Sequence, residues 1–548
     1  MIPEVSLSLA PVPVTPYHLD AVNVSLGDQT SERLGGEIPS AMLCAERPNS
    51  GIFFGKKVYK KTRYYVSTPP DSDRSCTLIV GGQGCGKTSC IIIPTLRFWT
   101  GTFVAIDIKG DLLRHAVPFK TSKYPVKLFK FTDEQQDGNI KYCRYDPFSL
   151  LRTGGKNNRV RNAREIAEAI IPILPTDREP FWKQSAQNVL TAVILYVFGL
   201  RATDEDAGEV LTGTFNGAME LIQTMPIWDL IKLIEKSGNE DAIKYINQFR
   251  EIAVPEDNKI LIGVGAELGN SVMAFATDNR VRAAFDTADA DDTLKWEDLT
   301  DHNVIICLDE DQLDQWRGPV TMMLTQLIRS LERRPDKHSG KQCPPPVLLM
   351  LDEFPSLGKI VAIQKAFTTL RSRGVTSCIA LQSIAQLDQI YGEKTRNIFL
   401  ENCQYKAILE VTEPESQKMF SDMIGTINVV KKNISESVTM TPTFSGGNTM
   451  YTTFNGAGSA SQPWSKTVSV GFSTTREPIV FPHELAAPKD ILLVAEGKFY
   501  RVEKLPHYQQ AIFPNIELQL PMYKPSFLDR IMDAVDSIAE WISDSFGF

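Results

Sequence analysis

A glycine-rich segment at residues 81–88 follows a short apolar run at residues 78–80 and leads into an apolar helix start. A glycine loop between a strand and a helix is the pattern of a phosphate-binding P-loop. Glycines let successive backbone N–H groups converge on an anion, and the following helix points the positive end of its dipole at that anion. The pattern therefore predicts a nucleotide-binding α/β protein.

The residue types of this loop indicate its ligands. Lys87 is expected to reach the β- and γ-phosphates of ATP, and the Thr88 hydroxyl is expected to ligate Mg²⁺. The sequence thus predicts ATP and Mg²⁺ as cofactors. The candidate nucleotide-binding residues are Gly81, Gly82, Gln83, Gly84, Cys85, Gly86, Lys87, Thr88 and Ser89.

An apolar run that ends in two acids supplies the second half of an ATPase pattern. Residues 347–351 predict a buried strand, and Asp352 and Glu353 follow it directly. Asp352 is expected to hold Mg²⁺ through water, and Glu353 to orient or deprotonate the water that attacks the γ-phosphate. Acids at a strand end are common in themselves, but beside a P-loop they favour ATP hydrolysis over nucleotide binding alone. Lys87 and Glu353 are therefore candidate catalytic residues.

Length and charge limit the kind of protein that the chain encodes. At 548 residues it is too long for one simple core, so several domains are expected. Its net charge of −8 argues against a surface that coats nucleic acid, because neutralising phosphates requires Lys and Arg. Any contact with nucleic acid must therefore be focal, as in a channel.

Cysteine spacing and apolar runs bear on the compartment. The nine cysteines show no CxxC pair or other metal-ligand spacing, which is typical of reduced thiols in a cytosol. No stretch reaches the roughly 18 apolar residues that span a bilayer, and no signal peptide is evident. We therefore expect a cytoplasmic protein without a transmembrane helix.

The succession of strand and helix patterns divides the chain into five regions. Strands and helices alternate from residue 77, the periodicity becomes helical from about 155, and strands resume at 304, which predicts an α/β fold with an all-α insertion. The predicted regions are an extended N-terminal arm at 1–50, the nucleotide-binding domain at 51–154 and 301–515, the inserted all-α domain at 155–300, and an acidic amphipathic tail at 516–548. Within the second part of the nucleotide-binding domain, the Ser/Thr/Gly-rich segment 426–475 is expected to form a long hairpin or loop.

Several motifs together resemble the VirD4/TraG family of type IV secretion coupling proteins, over roughly residues 75–515. The Walker motifs are common to P-loop ATPases, whereas the string Asp-Glu-Phe-Pro-Ser-Leu-Gly at 352–358 and the order of the other motifs are more specific. The resemblance implies a RecA-like P-loop ATPase sheet with an inserted all-α domain, assembled as a homohexamer with ATP at the subunit interfaces. The motifs are residues 81–96, 107–111, 145–148, 181–182, 351–359, 373–374 and 381–387.

The resemblance also implies roles for residues outside the Walker motifs. Arg373 is the expected arginine finger, whose charge stabilises the phosphoryl group in transfer, and Arg371 is the alternative. Gln382 is the expected γ-phosphate sensor. Residues 107–111 follow the second strand on the edge where ligands bind in such folds. They serve either the nucleotide or subunit interface or a structural turn.

The implied partners are a DNA–relaxase complex or a protein effector, and the components of a type IV secretion channel. The strandedness of the DNA is left open. Family members usually begin with transmembrane helices, and none is expected here. A separate membrane-anchoring subunit would then recruit the ATPase to the inner face of the cell membrane, or the protein works away from it. Two other functions stay open: a soluble FtsK/HerA-like DNA translocase not tied to secretion, and a nucleotide-gated substrate adaptor.

Overall fold

The computed structural model of the chain describes eleven ranges of residues. The predicted tail at 516–548 lies outside them, and so does the predicted arm up to residue 34. The described residues are 35–70, 76–116, 124–137, 140–153, 155–174, 177–200, 213–250, 258–287, 292–339, 344–440 and 464–509.

The strands of the described residues are short, apart from one long pair, and the central ones are made of buried aliphatic residues. They are β1 (Leu43–Cys44), β2 (Phe53–Tyr59), β3 (Thr62–Ser67), β4 (Thr77–Val80), β5 (Thr102–Asp107), β6 (Val126–Lys130), β7 (Gln136–Asp137), β8 (Ile140–Lys141), β9 (Arg144–Tyr145), β10 (Thr293–Leu294), β11 (Asn303–Cys307), β12 (Val347–Leu351), β13 (Val375–Leu381), β14 (Tyr405–Ile408), β15 (Thr426–Met440), β16 (Trp464–Pro478), β17 (Asp490–Ala495) and β18 (Lys498–Glu503).

Helices fill most of the connections between these strands. The first one continues a π-helical segment, Lys87–Ile92, that directly follows the glycine loop. The helices are α1 (Ile93–Phe98), α2 (Asp111–His115), α3 (Ser149–Thr153), α4 (Gly155–Ile170), α5 (Pro180–Gly199), α6 (Phe215–Thr224), α7 (Ile227–Lys236), α8 (Glu240–Ile246), α9 (Lys259–Thr277), α10 (Asn279–Ala284), α11 (Leu313–Glu332), α12 (Val361–Thr369), α13 (Ile384–Tyr391), α14 (Glu393–Asn402) and α15 (Pro414–Ile424).

Twelve strands form one sheet in the order β1-β3-β2-β18-β17-β14-β4-β13-β12-β5-β11-β6. From β14 to β6 every neighbouring pair is parallel. From β14 to β1 every pair is antiparallel. All five residues of β12 are buried, as expected for a parallel sheet that is covered on both faces. The predicted α/β fold class is confirmed.

In the sequence, helices α4 to α10 lie between β9 and β10. These two strands pair in parallel, with Arg144 opposite Thr293, so the chain leaves and returns at neighbouring positions. Helix α5 is apolar on nearly all sides and packs against α4, α8 and α9. A helix that is apolar all round belongs in a core, so α5 forms the centre of this helical block.

One helix in the part of the chain that the structure describes, α9, is long and apolar enough to cross a membrane by length and composition. The sequence analysis did not anticipate it. The helix packs against α5 and α6 within the helical block, and 28% of its most apolar stretch is buried. Its buried side chains are Leu261, Val264, Leu268, Val272 and Phe275.

Strands β15 and β16 form a long antiparallel hairpin in the Ser/Thr/Gly-rich segment. Thr426 lies opposite Pro478 at one end, and Met440 lies opposite Trp464 at the other. Residues 441–463 lie outside the described residues. The sequence left open whether this segment forms a hairpin or a loop. Its described residues form a hairpin.

A buried chain of hydrogen bonds joins the segments on either side of the helical block. Trp296 Nε1 donates to the Tyr145 hydroxyl at 2.8 Å, and this hydroxyl donates to Gln326 Oε1 at 2.5 Å. Gln326 Nε2 donates to the Pro147 carbonyl oxygen at 2.8 Å. Tyr145 precedes the block, Trp296 follows it, and Gln326 lies on α11. The bonds therefore tie together the chain segments before and after the helical block.

Tyr145→Phe should lower the free energy of unfolding by about 1–3 kcal/mol, because it leaves buried polar groups of Trp296 and Gln326 without a partner. The midpoint of thermal unfolding measures the loss. Tyr64→Phe is the matched control, since that ring lies partly exposed on the β2–β3 hairpin. Equal shifts in the two variants would contradict the role of the buried bonds.

Candidate nucleotide site

The glycine loop lies at the carboxyl end of β4, the strand that pairs with β13 on one side and with β14 on the other. Gly81 N donates to the Leu381 carbonyl oxygen at 3.1 Å, which ties the loop to the end of β13. Gly84 and Gly86 have φ angles of 79° and 103°, a left-handed backbone that glycine adopts without strain. Lys87 Nζ donates to the Gly81 carbonyl oxygen at 2.7 Å. The loop thus closes around the lysine that follows it.

A cavity of about 760 Å³ opens beside this loop, which is a volume typical of small-molecule sites. Its walls come from the glycine loop and the start of the following helix, from the loops after β5 and β12, and from a turn at residue 507. All but the last of these elements meet at the carboxyl edge of the parallel strands. Ligands of open α/β sheets bind at this edge.

Thr88 and Asp352 meet in the cavity, where Thr88 Oγ1 donates to Asp352 Oδ2 at 2.9 Å. Burial raises the pKa of Asp352, while the hydrogen bond from Thr88 and the charge of Lys87 oppose that rise. A hydroxyl and a carboxylate beside nucleotide phosphates are ligands that Mg²⁺ takes. The described residues hold no group of three or more His, Cys, Asp or Glu side chains that could bind a metal ion alone. The pair therefore suits a Mg²⁺ ion that shares its coordination with phosphates.

Glu353 lies where β12 ends, and its backbone is left-handed with a φ of 50°. A residue with a Cβ seldom adopts this conformation, and its surroundings must hold it there. The residue is only 9% exposed. Its Oε1 accepts hydrogen bonds from Lys109 Nζ and, at 3.3 Å, from Gln382 Nε2. The structure therefore brings the predicted residues Glu353 and Gln382 together and adds Lys109.

Residues 107–111 lead from β5 into α2 and border the cavity. Asp107 is 3% exposed, and its Oδ2 accepts from Leu113 N at 2.8 Å. Burial raises the pKa of Asp107 to about 6. Asp107 thus stabilises the turn into α2, and Asp107, Lys109 and Asp111 all line the cavity.

Arg373 lies apart from the other predicted site residues. It precedes β13 and therefore lies at the opposite end of that strand from Gln382. Its Nη1 donates to the Arg334 carbonyl oxygen at 2.9 Å. The alternative, Arg371, is exposed in the same turn. Neither arginine lines the cavity of its own chain.

The cavity is also lined by two residues that no sequence pattern indicated. His507 and Tyr508 belong to the turn His507–Gln509, and His507 Nδ1 lies 3.4 Å from the Ser89 carbonyl oxygen. The His507 ring centroid lies 5.1 Å from that of His115 and 5.3 Å from that of Tyr508. His507 is 418 positions away from Ser89 and belongs to no motif. Local sequence therefore carries no signal for it.

Lowering the pH should release the turn His507–Gln509. Burial, together with the charges of Arg97 and His115, lowers the pKa of His507 to about 4. The docked ring is therefore neutral, so docking is fully stable above the ordinary value of 6.5 and weakens as the pH falls towards 4. Of the nearby charges only Asp111 opposes this shift. Amide hydrogen exchange in the turn, corrected for its intrinsic pH dependence, should speed up between pH 7 and pH 5.

His507→Phe is the control for this release, because phenylalanine keeps a ring in place and cannot be protonated. Exchange in that variant should not depend on pH after the same correction. Release of the turn at the same pH in both proteins would show that His507 is not the titrating group.

Comparison with known proteins agrees with this geometry. A family model described as type IV secretory system conjugative DNA transfer matches residues 35–532. Protein VirD4 of Rhizobium radiobacter is 24% identical over 389 residues, which cover 71% of this chain and 53% of VirD4. The conjugal transfer protein TraG of Escherichia coli is 23% identical over 412 residues, which cover 71% of this chain and 61% of TraG. The chain thus spans about half the length of the VirD4 relative.

Solved structures share the fold. The bacterial conjugative coupling protein TrwBdeltaN70, in an unbound monoclinic form, has a TM-score of 0.58 at 17% identity and covers 89% of this chain and 94% of its own. The plasmid coupling protein TrwB in complex with ADP and Mg²⁺ has a TM-score of 0.56 at 17% identity, with the same coverage. The predicted RecA-like P-loop fold with its all-α insertion is confirmed. The chain belongs to the type IV secretory system conjugative DNA transfer family, together with the VirD4 and TraG coupling proteins.

Proposed function

We propose that this chain is an ATP-hydrolysing coupling protein, which recruits a DNA–relaxase complex or a protein effector and delivers it to a type IV secretion or conjugation channel. The observation that carries the proposal is the convergence of Lys87, Thr88, Asp352 and Glu353 on one cavity at the carboxyl edge of the sheet. Gln382 donates a hydrogen bond to Glu353 there. Membership of the conjugative DNA transfer family supports the cargo. The complex of TrwB with ADP and Mg²⁺ supports the ligands.

Each residue of the site has its own role in ATP hydrolysis. The loop N–H groups and the Lys87 ammonium bind the β- and γ-phosphates. Glu353 accepts a proton from the attacking water while the water oxygen bonds to the γ-phosphorus and the bond to the leaving oxygen of ADP breaks. Gln382 offers its amide to the same water or to the γ-phosphate. Mg²⁺ held by Thr88 and Asp352 would neutralise charge on the phosphates.

A neighbouring subunit completes the site in this proposal. An arginine finger supplied across a subunit interface stabilises the charge of the transferring phosphoryl group. The exposure of Arg371 and the bond between Arg373 and the Arg334 carbonyl favour Arg371 over Arg373 for this role. A homohexamer with ATP at its interfaces provides such an arrangement.

The remaining partners follow from the family and from the charge of the chain. A net charge of −8 suits focal contact with single- or double-stranded DNA, as in a central pore, better than contact over the whole surface. Components of the secretion channel and a membrane-anchoring subunit are the other proposed partners. They would hold the chain at the cytoplasmic face of the bacterial membrane.

Glu353→Gln should bind Mg·ATP as the wild type does and hydrolyse it about 10²- to 10⁴-fold more slowly, because an amide cannot accept the proton of the attacking water. Lys87→Ala should instead lose affinity for the nucleotide. Titration with a fluorescent ATP analogue and steady-state phosphate release measure the two effects separately.

Glu393→Gln is the control for these variants, since Glu393 forms an exposed ion pair with Arg396 outside the cavity. Its turnover should equal that of the wild type. Wild-type turnover in Glu353→Gln would remove the general base from the proposal.

Mixing subunits should identify the arginine that acts across the interface. Arg371→Ala and Lys87→Ala should each be inactive alone, and an equal mixture should recover activity at about a quarter of the sites if subunits assort at random in a ring. Phosphate release of the mixtures measures the recovery. Arg373→Ala, mixed in the same way, is the comparison. Recovery with Arg373→Ala and none with Arg371→Ala would reverse the assignment.

A further inference from the structure

Glu353 is held from both sides by the strands next to its own. Strand β12 pairs with β5 on one side and with β13 on the other. Lys109 follows β5 and Gln382 follows β13, so both residues emerge beside Glu353. Both donate to the same oxygen, Glu353 Oε1. Two donors of different chemistry, one charged and one neutral, therefore fix the orientation of this carboxylate.

Lys109 is the charged donor of the two. Its side chain is 33% exposed, and that of Glu353 is 10% exposed. Burial disfavours the ammonium, but the hydrogen bond and the charge of Glu353 outweigh burial and raise the pKa of Lys109 above its usual value. An ion pair with a partner this exposed adds little to folding stability. Its main effect is therefore on the position of the carboxylate.

We propose that Lys109 is a positioning residue for ATP hydrolysis, which holds Glu353 Oε1 so that Oε2 accepts the proton of the attacking water. The inference rests on the proposed function, because it assigns a partner to the general base. Lys109 and Glu353 line the same cavity as Thr88 and Asp352, so Lys109 fixes the carboxylate beside the place of the reaction.

Lys109 keeps its positive charge throughout the hydrolysis step. The water oxygen bonds to the γ-phosphorus, the water proton passes to Glu353 Oε2, and the leaving oxygen of ADP takes the electron pair of the broken bond. Lys109 gives up no proton and stays beside Oε1 throughout.

A lysine in a nucleotide cavity can also bind phosphate directly. The two roles differ in what a substitution changes. Loss of a phosphate ligand lowers the affinity for the nucleotide, whereas loss of a positioning residue lowers the rate of the chemical step at unchanged affinity. An effect that acts through Glu353 also disappears when Glu353 has already been replaced.

The test compares four forms of the full chain: the wild type, Lys109→Met, Glu353→Gln and the double variant. We expect Lys109→Met to slow single-turnover phosphate release by about 10- to 100-fold, typical of losing a group that orients a catalytic residue. Its affinity for Mg·ATP and for ADP should equal that of the wild type. The double variant should be no slower than Glu353→Gln.

A conservative variant separates positioning from a general loss of structure. Lys109→Arg should recover part of the rate, since it restores a charged donor for Glu353 Oε1. Lys130→Met is the control: Lys130 ends β6 at the same edge, is 27% exposed and pairs with Asp309 at 3.1 Å outside the cavity. Its rate should be that of the wild type.

Three results would overturn the inference while leaving the proposed function intact: a wild-type rate in Lys109→Met, a loss confined to ATP affinity, or losses that multiply in the double variant. A wild-type chain that binds Mg·ATP and releases no phosphate would overturn the proposed function itself, and the inference with it.

Discussion

The parallel pairing of four adjacent strands is the constraint on which the site depends. Strands β4, β13, β12 and β5 run in the same direction, so their carboxyl ends meet at one edge. That edge receives the glycine loop, Gln382, the two acids at 352–353 and Lys109, although the helical block separates β5 from β12 in the chain. Strand β13 lies between β4, which precedes the glycine loop, and β12, which ends just before Asp352. The 2.9 Å hydrogen bond between Thr88 and Asp352 therefore crosses the end of β13. The site therefore depends on the order and parallel pairing of the buried strands.

This dependence explains which parts could be predicted from the sequence. The glycine loop, the apolar strand before residues 352–353 and the helical insertion are continuous patterns, so periodicity and turn chemistry predict them. The contact of Lys109 with Glu353 depends on strand order, which a local pattern does not contain. The antiparallel strands beyond β14 join the same sheet only through tertiary pairing. Arg373 has a suitable place in the chain, but the fold bonds it to Arg334. His507 reaches the cavity from a turn without a motif.

The cavity is lined by acidic and basic side chains, which suits a ligand that carries both positive and negative charge. Burial raises the pKa of Asp352, and the Thr88 hydroxyl and the Lys87 ammonium partly offset that cost. Lys87 donates to a loop carbonyl and Lys109 to Glu353. A nucleotide triphosphate with its magnesium ion offers a cation to the acids and phosphate oxygens to Lys87, while Lys109 stays with Glu353. The same residues would therefore bind the complex of ATP with Mg²⁺ better than either component alone.

The ATP hydrolysis rate of the purified chain, measured with and without single- and double-stranded DNA, tests the proposed function most directly. We expect Mg²⁺-dependent phosphate release well above that of Glu353→Gln, and a higher rate when DNA is present. A chain that binds Mg·ATP and releases phosphate no faster than Glu353→Gln, with either form of DNA or with none, would contradict the proposed function.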